Sequence, residues 1–186
     1  MNIGFAMCGS LCTLDTVFSV LEQLADKHTV IPILSEAVGS IDSRFGTARE
    51  HVEKITKICG SAPLRSIAQV EPIGPKKLLD ALVIAPCTGN TLAKLAHSIA
   101  DGPVTMAAKS HLRNGRPILV AISTNDALAG AAENIGRLLS RKHYYFVPFG
   151  QDDPEKKPTS IVADFKLLVP ALEAALEGRQ LQPILL

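Results

Sequence analysis

Residues 80–85 (DALVIA) form a short apolar run that no polar residue interrupts after Asp80. A run of this kind is typical of a strand buried on both faces, which is the situation of strands in a parallel sheet. Shorter or more mixed runs predict four further strands, at residues 2–7, 29–34, 117–122 and 144–147. Parallel strands need long crossover connections, so helices are expected between them.

Segments with helical spacing do alternate with these strands. In residues 13–25, apolar side chains recur three and four positions apart, and Asp15 suits the positive end of the helix dipole. Further helices are predicted at 47–58, 90–100, 105–113, 128–140 and 163–177, with a short helical turn at 75–79 and a surface loop at 148–160. The alternation predicts one α/β domain, residues 1–186, built as a three-layer, doubly wound, mostly parallel sheet of flavodoxin or Rossmann type.

Composition excludes several classes of function. The chain has 186 residues, a formal charge of +1, 4% aromatic residues and no Trp, which argues against nucleic acid as a partner. No stretch is long and apolar enough to span a bilayer and no signal peptide is recognisable, so a cytoplasmic protein is expected. The four cysteines lack zinc spacing, and the acidic and basic run at 152–157 lacks the pattern of a calcium loop, so no metal site is predicted.

Small and polar residues follow three of the predicted strands. They are Gly9 and Ser10 after the first, Pro86, Thr88, Asn90 and Thr91 after the third, and Ser123 and Asn125 after the fourth. In open parallel sheets ligands bind at this edge, where helix N-termini favour anions. Two interpretations stay open: a phosphate cradle, or ordinary strand-to-helix turns with capping side chains. Neither the dinucleotide nor the P-loop glycine fingerprint is present.

The segment Pro86-Cys87-Thr88-Gly89-Asn90-Thr91, with Lys94 and Asp101 downstream, resembles the Pro-Ala-Ser-Ala-Asn-Thr segment of the flavoprotein (cysteine decarboxylase-like) family. This resemblance implies an FMN site formed by the residues at the three strand ends, with Asn90 as a catalytic candidate. The middle of the segment differs from the family pattern, so retention and loss of the flavin both remain open.

Further blocks resemble one branch of that family: GSLCTLD, SRFG, EPIGPK, MAAKSHLRNGRP, ISTNDAL and YFVPFGQDDPEKKP. The resemblance implies one component of an oxidoreductase that oxidises dihydrodipicolinate to dipicolinate in a sporulating bacterium. It also implies homo-oligomers and a nicotinamide-binding partner that carries NADP, the A subunit of the same enzyme. Arg44 could bind a substrate carboxylate through a bidentate contact, or it could be a solvated loop residue.

The chain departs from the decarboxylases of the family at two places. They have an early catalytic histidine where Ser10, Leu11 and Cys12 stand here, and a Pro-Ala-Met-Asn segment where residues 123–126 read STND. Decarboxylation is therefore not the predicted activity. Two alternatives to an active oxidoreductase component stay open: a non-catalytic scaffold for the A subunit, and a flavin-dependent, decarboxylase-like protein.

Overall fold

The computed structural model describes residues 1–186 and contains a seven-stranded sheet. Five strands run parallel in the order β2-β1-β3-β4-β5, and two short strands, β7 and β6, continue antiparallel from β4. The strands are β1 (Asn2–Met7), β2 (Thr29–Leu34), β3 (Ala81–Cys87), β4 (Ile118–Thr124), β5 (Tyr144–Phe146), β6 (Phe149–Gly150) and β7 (Ile161–Ala163). The predicted mostly parallel sheet is confirmed.

Helices cover both faces of this sheet. They are α1 (Leu14–Ala25), α2 (Glu36–Ser40), α3 (Ala48–Cys59), α4 (Ile67–Val70), α5 (Gly89–Ala96), α6 (Pro103–Leu112), α7 (Ala132–Leu139) and α8 (Leu168–Leu176). On one face α1 packs against α3 and α8, while on the other α6 packs against α4 and α5, and α5 packs against α7. None of these helices combines the length and the apolar character needed to cross a bilayer.

The core lies along the middle strands. All seven residues of β3 are buried, because this strand has neighbours on both sides and helices above and below. One apolar cluster extends from Ile3 in β1 to Leu172 in α8. Burying this apolar surface is the main contribution to the stability of the sheet.

Three predictions of local structure were wrong between β2 and α7. The turn at 75–79 is not helical, since the helical turns lie earlier, at α4 and at Glu71–Ile73. Ser66 starts α4 with a capping box that includes Gln69, a signal present in the sequence. The short helix α2 was missed, and α7 begins at Ala132 instead of residue 128 because a turn around Asp126 comes first.

The region after β5 differs most from expectation. The predicted loop at 148–160 contains β6, and residue 163, where a helix was expected to begin, belongs to β7. In β7, Val162 pairs with Ser123 and Ile161 pairs with Thr124 of β4. Strands of two and three residues are too short to show an alternating pattern, so they could not be recognised from periodicity. Their pairing places residues 151–160 beside the end of β4.

Candidate functional site

The loops that follow β1 and β4 meet at the carboxyl edge of the sheet. Both strands pair with β3, so their ends lie two strand spacings apart. The hydroxyls of Ser10 and Ser123 close this gap with a hydrogen bond of 2.7 Å between their Oγ atoms. Two residues separated by 113 positions in the chain are thereby brought into direct contact.

The loop after β3 is joined to the same edge. Thr88 is the N-cap of α5, and its Oγ1 accepts a hydrogen bond of 3.3 Å from the backbone N–H of Thr91. The Thr91 hydroxyl also lies 3.3 Å from the Sγ of Cys8, at the end of β1. The capping role is therefore real for Thr88. It does not exclude ligand binding, since Thr88 also lines both clefts described next.

The first cleft has a volume of about 610 Å³ and lies between the ends of β1, β2 and β3. Its walls include Gly9, Thr88, Asn90 and Thr91, and the ion pair of Lys94 and Asp101 lies on its far side with an Nζ to Oδ2 distance of 2.9 Å. Ser35, directly after β2, also lines it, and the buried Ser35 Oγ has no hydrogen-bond partner. A buried hydroxyl without a partner is unfavourable, so this hydroxyl is available to bond a ligand that enters the cleft.

The second cleft, of about 550 Å³, lies between the ends of β1 and β4 and the connection from β6 to β7. Ser10, Ser123 and Asn125 line it, as does Arg44 from the loop after α2. Gly9 and Thr88 belong to both clefts, which therefore adjoin along a shared wall.

The structure divides the predicted site residues between these clefts. Gly9 and Thr88 line both; Asn90 and Thr91 line the first; Ser10, Ser123, Asn125 and Arg44 line the second. Pro86 lines neither, because it is buried within β3. Asn90 is exposed and its side chain is free of hydrogen bonds within the chain.

Several lining residues were not singled out from the sequence as site residues. Ser35 directly follows a predicted strand, so the rule applied to the other three strand ends would have found it. Lys157 and Asp152 line the second cleft, although the segment containing them was interpreted as a solvated loop. No pattern in the sequence would have indicated their position, because it depends on the pairing of β7 with β4.

At the two clefts, four groups have shifted pKa values, and each shift moves the pKa further from pH 7. Burial raises the pKa of the Cys8 thiol to about 11. The hydrogen bond from Lys94 lowers the pKa of Asp101, and hydrogen bonds from Ser160 and Lys157 lower that of Asp152. The hydrogen bond and charge of Asp152 raise the pKa of Lys157. None of these four groups is tuned for proton transfer near pH 7.

These shifts and exposures predict how the cysteines react. Cys12 is exposed, whereas Cys8 and Cys87 are buried and burial raises the pKa of both thiols. With a pKa of about 11, only about one Cys8 thiol in a thousand is ionised at pH 8. Iodoacetamide at pH 8 should therefore modify Cys12 in the folded protein and leave Cys8 and Cys87 unmodified, as read by peptide mass spectrometry. All four should react in urea, and rapid folded-state labelling of Cys8 would contradict the buried placement.

A doubly wound α/β domain with strand order 2-1-3-4-5 and ligand-sized clefts at the carboxyl edge is a flavodoxin-like protein. Residues 1–156 match the model of the Flavoprotein family, and the chain belongs to that family.

Two relatives agree with this assignment over nearly the whole chain. The B subunit of dipicolinate synthase from Bacillus subtilis (strain 168) is 48% identical over 185 residues, which cover 99% of this chain and 92% of that protein. The crystal structure of the B subunit of dipicolinate synthase from Bacillus halodurans C superimposes with a TM-score of 0.91 at 45% identity, covering 100% of this chain and 95% of that one.

A more distant structure shares the fold. Burkholderia xenovorans DmrB in complex with FMN, a cubic protein cage for redox transfer, aligns with a TM-score of 0.69 at 19% identity and 95% coverage of both chains. The resemblance to the flavoprotein family and the fold class drawn from the sequence are thus confirmed.

Proposed function

We propose that the chain binds FMN in the first cleft and acts as one component of a dipicolinate-forming oxidoreductase. The observation that carries the proposal is the unpartnered, buried Ser35 hydroxyl in a cleft of about 610 Å³, a size typical of cofactor sites. The backbone N–H group of Gly9, which lines the same cleft, is also free of hydrogen bonds within the chain. These donors suit an anionic phosphate at a strand end.

The residues of the first cleft fit the flavin in other respects. Gly9 presents bare backbone to the cleft, which allows close approach of a ligand. Thr88, Asn90 and Thr91 bring two hydroxyls and an amide, which suit the polar edge of a flavin ring. When bound, FMN supplies a two-electron acceptor. The chain itself then binds, orients and shields the reactants.

The second cleft is proposed to hold the substrate. Dihydrodipicolinate is a dicarboxylate, and conversion to dipicolinate removes two hydrogens and makes the ring aromatic. Arg44 provides a guanidinium for one carboxylate, and the hydroxyls of Ser10 and Ser123 lie at the base of the cleft. Because the two clefts share Gly9 and Thr88, a ligand in one would lie next to a ligand in the other.

The proposed partner is the A subunit of dipicolinate synthase with its NADP, which supplies the nicotinamide. The support is the 48% identity to a protein named as the B subunit of that enzyme. Asp101, Asp152 and Lys157 are poor proton acceptors near pH 7, and in this proposal the A subunit supplies the group that takes the proton. The proposal includes a homo-oligomer, which is supported by the cage that DmrB forms. It also places the protein in the cytoplasm of the mother cell.

A non-catalytic scaffold is the second candidate, and the same pKa shifts favour it. In that case the chain would hold the A subunit in place and its clefts would be remnants of the flavoprotein fold. The decarboxylase-like alternative has less support, because no histidine lines either cleft.

Titration of FMN into the purified, flavin-free protein tests the proposal. Flavin fluorescence should change saturably, and Ser35→Ala should weaken binding about fivefold, the loss of one hydrogen bond of about 1 kcal/mol. Ser19→Ala on the exposed side of α1 is the matched control and should bind like the wild type. Flavin fluorescence that stays unchanged throughout the wild-type titration would contradict the FMN site.

A further inference from the structure

Lys157 is a cation of the second cleft that the proposed function leaves unused. It comes from the connection between β6 and β7, and its Nζ lies 3.0 Å from Oδ2 of Asp152. The lysine side chain is 51% exposed and the aspartate 30%, so the pair lies at the mouth of the cleft.

The charged groups that line the second cleft leave an excess of one positive charge. Arg44 and Lys157 are the cations among its lining residues, and Asp152 is the one carboxylate. Arg44 makes no ion pair; its guanidinium lies 4.8 Å above the ring of its neighbour Phe45. One cation is thus free, and the other is held by a carboxylate of the protein.

The two cations also come from opposite ends of the sheet order. Arg44 follows β2, which lies outside β1, and Lys157 precedes β7, which lies outside β4. Between them the cleft is bounded by the ends of β1 and β4, where the hydroxyls of Ser10 and Ser123 meet. A ligand that forms an ion pair with each cation therefore needs two anionic groups.

We propose that Lys157 selects dicarboxylates: Arg44 binds one carboxylate of the ligand, and the second carboxylate replaces Asp152 as the partner of Lys157. This inference rests on the proposed function and names the residue that distinguishes a dicarboxylate from a monocarboxylate at that site. A monocarboxylate binds to Arg44 only and leaves the ion pair of Lys157 and Asp152 intact. Asp152 then competes with the second carboxylate of the ligand for the ammonium group of Lys157. The ligand carboxylate must therefore bind Lys157 more strongly than Asp152 does.

The test compares two ligands of the same ring, pyridine-2,6-dicarboxylate and pyridine-2-carboxylate, by calorimetry on the full chain. Lys157→Met should weaken the dicarboxylate about fivefold and leave the monocarboxylate unchanged, since a half-exposed ammonium contact contributes about 1 kcal/mol. Asp152→Asn should instead tighten the dicarboxylate, because it frees Lys157. Lys156→Met removes the neighbouring exposed lysine, which lies outside the cleft, and should change neither ligand.

The outcomes separate this inference from the proposed function. If wild-type protein binds neither ligand, the substrate site itself is wrong. If the dicarboxylate binds and Lys157→Met behaves like Lys156→Met, the site stands and the role of Lys157 is overturned. If Asp152→Asn and Lys157→Met both weaken the dicarboxylate, the pair only supports the loop structurally, and the selection by Lys157 is likewise overturned.

Discussion

Replacing Gly9 by valine is expected to weaken FMN binding about thirtyfold while leaving the chain folded. A Cβ at this position would lie 2.9 Å from the Cβ of Ala37 in α2, closer than two carbon atoms can approach without movement. Ala37 lines the first cleft, so relief of the overlap must displace a wall of the proposed flavin site. Holding the wall in its original position against this overlap costs about 2 kcal/mol, and FMN binding that requires that position would be weakened by about thirtyfold in Kd.

Gly136→Val is the matched control for this substitution. Gly136 lies in α7, away from both clefts, and a Cβ there meets no atom within 4 Å. The two variants are compared by FMN titration and by urea unfolding. Gly9→Val should lose affinity and remain cooperatively folded, with a lower urea midpoint than the wild type, because the overlap with Ala37 also strains the folded state. Unchanged FMN affinity in Gly9→Val would remove the first cleft as the flavin site.

The parts of the fold that follow from continuous apolar runs were predictable. Strand β3 is buried along its whole length, and its sequence already has the composition that a buried parallel strand requires. In a parallel sheet the carboxyl ends of β1, β3 and β4 lie at one edge. Gly9, Thr88 and Ser123 could therefore be grouped from the sequence alone.

The rest depended on contacts that the sequence does not encode locally. The antiparallel strands β6 and β7 have two and three residues, and only their pairing with β4 makes them strands. This pairing carries Lys157 into the second cleft. The division of the site into two clefts was also unpredictable, because it depends on the side-chain packing around Gly9 and Thr88, which belong to both.

Asn90 differs from Thr88 and Thr91 in having no structural contact, so its replacement can distinguish a catalytic role of the chain from a scaffold role. Thr88 and Thr91 have structural work in capping α5 and contacting Cys8, so their loss would disturb the helix as well as any ligand. Asn90 is exposed in the first turn of the same helix and makes no hydrogen bond within the chain. A polar side chain that lines a cleft and holds no structural contact can be removed without damage to the fold. A loss of activity on replacing Asn90 can therefore be attributed to the cleft and not to a loss of folding.

Asn90→Ala is expected to lower kcat/KM of the complex with the A subunit of dipicolinate synthase by about tenfold or more. The amide can donate to and accept from a ligand in the first cleft, and its loss would remove about 1.4 kcal/mol of transition-state stabilisation. Alanine has the higher helix propensity, so the stability of α5 should not decrease. His97→Ala, at the exposed C-terminal end of the same helix, is the control and should retain full activity. If Asn90→Ala turns over like the wild type while the complex still assembles, the clefts are not catalytic and the chain serves its partner only as a scaffold.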